Sequence, residues 1–362
     1  MADYPLSGVR VLEIGGGIAA GYASRALRGY GADVVRSEGP AGALTPDEEV
    51  YVVAGKRRVT ADGAELRALA LAADIVIEDR KPGELAEMGL DPAALRREKP
   101  ALVVVSVTPF GQTGPYSGFE ATNIVAHAMG GILSLTGSPE LPPLVNGGSQ
   151  AYYLAGANAV GAALTAYYGS LVHGEGEWVD ISAQECAAGM LELVGPRTEH
   201  GQLPAHLRSG NHVSSVWGIY ELADGFGGVC ALGRQIPGLF KAVGDPELLE
   251  ERFEDAIGRL ENDDELKARL TAWFAGQTKA DLLRMGAELK VPFGAVLTPA
   301  DLLKNESLGE RGFFDTVAIA GGGTATVPGR PFLGLPWRPP ERLHEPGEDT
   351  GAVHREWIGV KA

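Results

Sequence analysis

Val9-Arg10-Val11-Leu12-Glu13-Ile14 is a short apolar run of strand character, and Gly15-Gly16-Gly17 turns the chain directly into a helical stretch over residues 19–30. Ala32-Asp33-Val34-Val35-Arg36 then reads as a second strand. The pattern recurs: Ala73-Asp74-Ile75-Val76-Ile77-Glu78 and Leu102-Val103-Val104-Val105-Ser106-Val107 are further β runs, preceded by helical stretches at 64–71 and 93–98. Parallel neighbours need a crossover, most often a helix, so strands alternating with helices predict βαβ units and an α/β sheet.

Bulk properties set the frame. A chain of 362 residues exceeds what one compact core usually holds, which predicts two domains or one with a large insertion. Hydrophobic residues at 45% and charged residues at 22% are ordinary for a globular protein. A net charge of −16 argues against nucleic acid as a partner, since phosphate binding rests on clustered Lys and Arg. Two cysteines, Cys186 and Cys230, make neither a disulfide framework nor a cysteine-rich metal site. The start Met1-Ala2-Asp3-Tyr4-Pro5 has no basic or apolar leader, and no apolar run reaches the ~18 residues of a membrane span. The expectation is a cytoplasmic protein without membrane contact. No internal repeat is visible.

Residues 151–171, rich in Ala, Leu and Tyr and bounded by glycines, read as a buried helix that leads to a strand at 178–182. The stretch 190–215 has few periodic apolar positions and reads as a crossing linker. Beyond Gly218, hairpin signals at Asp224-Gly225 and Gly227-Gly228 precede helices near 237–242, 246–253, 264–274 and 279–289, a compact α+β unit. Gly321-Gly322-Gly323, Pro339-Pro340 and Pro346 mark an extended return path.

Gly15-Gly16-Gly17-Ile18-Ala19-Ala20 between a strand and a helix, with Glu38 some way on, forms a fair dinucleotide fingerprint. The competing reading is that any βαβ unit needs a tight glycine turn. There is no His-Glu-x-x-His and no Cys-x-x-Cys, and His200, His206 and His212 do not share a helical face, so no metal is expected.

Ordered blocks along the chain resemble one family. They are Pro5-Leu6-Ser7-Gly8-Val9-Arg10-Val11-Leu12-Glu13, Lys81-Pro82-Gly83-Glu84-Leu85, Phe110-Gly111-Gln112-Thr113-Gly114-Pro115-Tyr116, Gly130-Gly131-Ile132-Leu133-Ser134-Leu135-Thr136-Gly137 and Gly174-Glu175-Gly176-Glu177-Trp178-Val179-Asp180. Val291-Pro292-Phe293-Gly294, Arg311-Gly312-Phe313-Phe314 and Val327-Pro328-Gly329 continue the order. Over almost its whole length the chain is similar to the family III CoA-transferases, the CaiB/BaiF-like enzymes that also include the α-methylacyl-CoA racemases.

The resemblance implies an α/β fold with a Rossmann-like large domain built from both chain ends, an inserted small α+β domain, and an interlocked-ring dimer. With the composition shifts, this places the large domain at 1–195, a linker at 196–217, the small domain at 218–300, a second linker at 301–328 and the return to the large domain at 329–362. Coenzyme A or an acyl-CoA is the implied substrate-type ligand, retained in altered form or lost, with Gly17, Ile18, Arg36, Arg80, Lys81 and Thr108 as its contacts. A small-molecule acyl substrate and a homodimer, or a heterodimer with a paralogous subunit, are the implied partners.

In the resembled transferases a carboxylate attacks the donor thioester, and the released thiolate converts the resulting anhydride into an enzyme-bound CoA thioester. Counting back from Gly174-Glu175-Gly176 puts that position on Tyr152, or on Ala151 at racemase spacing, and Gly148-Ser149-Gln150-Ala151-Tyr152-Tyr153-Leu154-Ala155-Gly156 contains no acid. A phenol with an ordinary pKa of ~10 supplies little phenolate at neutral pH. An aryl ester at Tyr152 could not become a CoA thioester. The position of the racemase histidine falls on Thr122, with His127 five residues later. Glu87 stands where relatives often have Arg, and Asp79-Arg80 where an Asn or an aromatic residue is common.

Tyr152, Gln150 and His127 are thus the candidate catalytic residues. The leading expectation is a CoA-transferase subunit that lacks its own carboxylate nucleophile and pairs with an active paralogue. The alternatives are a repurposed enzyme of another class, a non-catalytic binding or scaffold protein and, remotely, an NAD-dependent oxidoreductase.

Overall fold

The computed structural model describes residues 4–38, 44–191, 194–201, 208–319 and 321–359. Within the expected linker at 196–217, residues 202–207, including His206, lie outside the described residues. The chain divides into two units. The first comprises Met1–Leu133, Val145–Gly201 and Glu306–Ala362, and the second Ser134–Leu144 and Gln202–Asn305.

The first unit is built on a six-stranded sheet of β1 (Arg10–Ile14), β2 (Asp33–Ser37), β3 (Arg57–Val59), β4 (Ile75–Glu78), β5 (Val103–Thr108) and β6 (Trp178–Ser182). Its spatial order is β3-β2-β1-β4-β5-β6, and every neighbouring pair is parallel. The order reverses between β1 and β4, which opens a crevice beyond the C-terminal ends of those two strands. The central strands are buried on both faces, as continuous Val/Ile runs in a parallel sheet require.

The crossover helices are α1 (Ile18–Gly29), α2 (Pro46–Val53), α3 (Gly63–Ala72), the single turn α4 (Glu84–Glu87) and α5 (Pro92–Glu98). They are followed by α6 (Asn123–Met129), α7 (Gln150–His173) and α8 (Ala183–Ala188). One face of the sheet is covered by α1 and α7, the other by α3, α5 and the C-terminal Val353 and Trp357. Buried Ala151, Ala155, Ala159 and Ala163 recur every fourth residue and form one stripe of α7. Gly156 lets that helix close on α1, because a Cβ there would stand 2.8 Å from the Ala19 carbonyl. This contact sets the first turn of α7, which carries Tyr152, beside the N-terminus of α1. The outer face of α7 has no charged residue and leaves Tyr168, Leu171 and Val172 exposed.

Under α1 lies a buried ionic cluster. Glu13 pairs with Arg36, directly opposite it on β2, and with Lys56 Nζ at 2.6 Å. Lys56 also donates to the Gly21 carbonyl (2.8 Å) and Ser24 Oγ (2.7 Å). Burial alone would raise the Glu13 carboxyl, but the Arg36 and Lys56 charges outweigh it and hold the group at about 2.

The sequence reading missed β3, a three-residue strand of charged composition. Its edge is closed by the C-terminal segment: Gly55 N–H donates to the Arg342 carbonyl, and Asp349 N–H to the Arg58 carbonyl. The Asp349 carboxylate in turn accepts from Arg58 N–H at 2.8 Å. Residues 301–328, read as a linker, contain an antiparallel hairpin described below, so this part of the return path is paired rather than merely extended.

In the second unit β7 (His212–Ser214), β8 (Trp217–Leu222), β9 (Gly225–Cys230) and β10 (Phe293–Ala295) form an antiparallel sheet in the order β10-β9-β8-β7. Helices Ile236–Val243, Asp263–Phe274 and Lys279–Leu289 contribute Leu239, Phe240, Leu266, Leu270, Phe274 and Leu282 to its core. Asp224-Gly225 makes the expected turn. Gly227-Gly228 does not: both lie inside β9, opposite Tyr220 and Ile219, and Gly227 leaves room for Leu282 and Leu222. In the first unit, the hairpin β11 (Phe314–Ile319) and β12 (Gly323–Pro328) packs Val317 and Val327 against Ala54. Among the described residues no helix is long and apolar enough to cross a membrane.

Removing the carboxylate of the buried cluster leaves two cations without their counter-charge. Glu13→Ala is expected to destabilise the protein by about 3–5 kcal/mol, measured as a fall in the urea midpoint. A change within ordinary surface-mutation scatter would refute the role assigned to this cluster.

Candidate functional site

A cavity of about 770 Å³ occupies the crevice at the strand-order reversal. Its floor is the β1–α1 turn (Gly17, Ile18), the β4 exit (Asp79, Arg80, Lys81) and the residues flanking the end of β5 (Val107, Pro109). Phe119 to Asn123 and the start of α7, Ser149 and Tyr152, form its wall. Five of the residues expected from sequence therefore meet here: Gly17, Ile18, Arg80, Lys81 and Tyr152.

The start of α7 is fixed by Asn123, whose Oδ1 accepts from Ala151 N–H (2.9 Å) and whose Nδ2 donates to the Gly148 carbonyl (3.1 Å). Tyr152 then reaches across and donates its hydroxyl to the Ala121 carbonyl at 2.6 Å. Burial, and next the charge of Asp79, push the Tyr152 phenol above its ordinary value. The phenolate is thus even scarcer than in water.

Asp79 is the residue that sequence reasoning passed over. One oxygen accepts from Gly16 N–H (3.2 Å) and Gly17 N–H (3.3 Å), and the other from Ala20 N–H (3.3 Å). These are amides that the first turn of a helix leaves unpaired and that favour an anion. The close approach explains the glycines, because a Cβ on Gly15 or Gly17 would collide with the Asp79 carboxylate. The signal was available in the sequence: an acid directly after a strand, beside Arg80-Lys81 and facing a triple-glycine turn across the sheet.

The dinucleotide fingerprint is accordingly engaged within the chain. Asp79 sits on the amides that a pyrophosphate would use. Glu38, the acid expected at a ribose, holds Arg58 through both oxygens at 2.6 and 2.8 Å.

Other expected residues stand away from the cavity. Arg36 is buried against Glu13 beneath α1, so its cation is already spent on an internal partner. Thr108 is buried with no partner for Oγ1 among the described residues, while its neighbours Val107 and Pro109 line the cavity. His127 is buried in α6 with Nδ1 unpaired among the described residues, and Gln150 is exposed, donating to the Gly147 carbonyl. Thr122, at the N-terminus of α6, does line the cavity, and Glu87 is exposed on α4.

The lining is electrically mixed. Glu48, Asp79 and Glu120 face Arg80 and Lys81. Lys81 and Glu120 form an ion pair at the exposed rim, and Arg80 Nη1 lies 3.9 Å from Glu84. Behind the floor, Glu78 is buried at the end of β4 and accepts from Arg80 N–H at 2.7 Å. Burial is the largest influence on it and raises its carboxyl to about 7, although Ser106 and the Arg80 amide pull the other way.

An arrangement of glycine turn, cationic β4 exit and α7 start around one crevice is what the sequence blocks imply for a CoA-handling fold. The sequence model of CoA-transferase family III matches residues 6–350, and the chain belongs to that family. It is 32% identical over 329 residues to the succinyl-CoA–D-citramalate CoA-transferase of Chloroflexus aurantiacus, covering 83% of this chain and 80% of that protein. The succinyl-CoA:(R)-benzylsuccinate CoA-transferase subunit BbsE of Thauera aromatica is 28% identical over 383 residues, covering 95% and 92%. Among solved structures, a CaiB/BaiF family protein from Brucella suis matches with a TM-score of 0.86 at 27% identity, over 98% of this chain and all of that one.

Glu78 couples the floor to pH. Its folded-state value of about 7 exceeds the ordinary 4.5, so the folded chain holds the proton more tightly. Stability from this group is complete below pH 4.5 and is lost as pH rises through 7, by about 3 kcal/mol in total. Glu78→Gln cannot titrate, so urea midpoints of the variant should gain on the unaltered protein between pH 5 and about 8. Parallel midpoint curves would refute the assignment.

Proposed function

We propose that this chain is a CoA-transferase subunit that exchanges coenzyme A between an acyl-CoA thioester and a carboxylic acid in this cavity. In the assembly it pairs with a paralogous chain bearing a carboxylate at the position of Tyr152. The observation that carries this reading is Tyr152 itself. Counting back from Gly174-Glu175-Gly176 assigns it the family's nucleophile position, and it lines the cavity as a half-buried phenol whose hydroxyl is committed to the Ala121 carbonyl.

Two further observations support it. Lys81 is paired with Glu120 at the exposed rim, an ion pair that a CoA phosphate could displace. The uncharged outer face of α7, with Tyr168, Leu171 and Val172 exposed, is the kind of surface that a partner covers. That a similar protein carries the name of a transferase subunit fits the same plan.

Two measurements test it. Calorimetric titration of coenzyme A into the purified chain should show saturable binding, weakened about tenfold by Lys81→Ala, the equivalent of ~1.4 kcal/mol. Mixing with a paralogue that bears Asp at the matching position should give a heteromer that transfers label between succinyl-CoA and free acid. Exchange should fall sharply when that Asp is replaced by Asn. A chain that binds no coenzyme A and forms no such heteromer would sink the proposal.

A further inference from the structure

We propose that Asp79 is a catalytic carboxylate of this chain, able to carry the acyl group and then coenzyme A in covalent linkage, so that the cavity has a nucleophile of its own at the end of β4 instead of on α7. This rests on the CoA-transfer reading above and adds a second carboxylate to the one the paralogue would bring.

The geometry supplies what the covalent steps need. Asp79 lines the same cavity as Tyr152, and burial raises its carboxyl above the usual range despite three amide donors. Its two oxygens are not equivalent. Oδ1 is shared by the Gly16 and Gly17 amides at the mouth of α1, whereas Oδ2 has only the Ala20 amide. Oδ2 is therefore the freer oxygen to attack.

The steps balance. Oδ2 adds to the thioester carbonyl, the C–S bond breaks, and coenzyme A leaves as thiolate, giving an acyl–Asp79 anhydride. The thiolate then attacks Cγ of Asp79, the bond from Cγ to the acyl-bearing oxygen breaks, and the donor acid departs as a carboxylate. Asp79 is left as a CoA thioester. An acceptor carboxylate reverses both steps and leaves as the new thioester.

Each attack on Cγ drives negative charge onto Oδ1, the oxygen already facing two amides at a helix N-terminus. That pair acts as an oxyanion hole for the enzyme's own acyl carbon. The other acids of the cavity lack this arrangement. Glu48 closes a capping box with Thr45 at the start of α2, and Glu120 is held at the exposed rim by Lys81.

The test uses the purified chain alone with succinyl-CoA, followed by borohydride, which reduces an enzyme thioester to an alcohol, and then by peptide mass spectrometry. The expected result is reduction mapped to Asp79, with at least a tenfold lower yield in Asp79→Asn. Asn keeps an acceptor oxygen for the Gly16 and Gly17 amides, and mapping in the unaltered chain does not depend on any variant folding. Modification at Glu48, Glu120 or elsewhere overturns the proposal. So does a chain that binds coenzyme A in titration yet yields no adduct, an outcome that leaves the heteromeric reading standing. A chain that binds no coenzyme A overturns both.

Discussion

The first turn of a helix has amides with no partner inside the helix, and something must satisfy them. Here the answer is a carboxylate from a different strand. Asp79 bridges the β4 exit to the head of α1, and this one contact decides much else. It requires glycine at 15 and 17. It joins the two loops that flank the strand-order reversal, and so defines the cavity floor. It also occupies the amides that a dinucleotide phosphate would need, so the fingerprint-like turn serves a contact within the chain.

The same contact changes how the acid-free start of α7 is understood. Viewed along α7 alone, the start of the helix offers the cavity a tyrosine and no carboxylate. Viewed across the cavity, a carboxylate is present on the opposite wall, with its own dipolar support. Burial, and after it the charge of Asp79, raises the proton affinity of the Tyr152 phenol, while burial, and after it the charge of Glu13, raises that of the Asp79 carboxyl. A substitution at Asp79 will therefore be felt at Tyr152.

Periodicity exposed the parallel sheet well, because β4 and β5 are buried on both faces and are mostly Val and Ile. The helix at 151–171 was legible from its Ala, Leu and Tyr content, but it was read as buried whereas α7 buries mainly one alanine stripe and exposes Tyr168, Leu171 and Val172. Charged residues were harder to place. Arg36 was read as facing a ligand, yet it lies in β2 within the sheet, where a charge survives only with an internal partner, and that partner is Glu13. Residue type announces a charge but not its counter-charge, which comes from elsewhere in the chain. The strand β3 was missed because Arg57 and Arg58 look like surface residues until the C-terminal segment covers them. Asp79 was noticed only as a departure from the family pattern, since its meaning depends on a turn more than sixty residues earlier.

The closure of β3 by residues 342–349 has a consequence for the order of synthesis. The first unit starts to emerge from the ribosome long before its last pieces, and its outer strand has no cover until Asp349 has been made. The second unit, contained between residues 202 and 305 apart from a short earlier segment, is complete well before then. Nascent chains of this architecture must therefore hold an unfinished sheet edge in solution while an entire later unit folds. The charged Arg57-Arg58 pair on that edge keeps it unattractive to other strands during the wait.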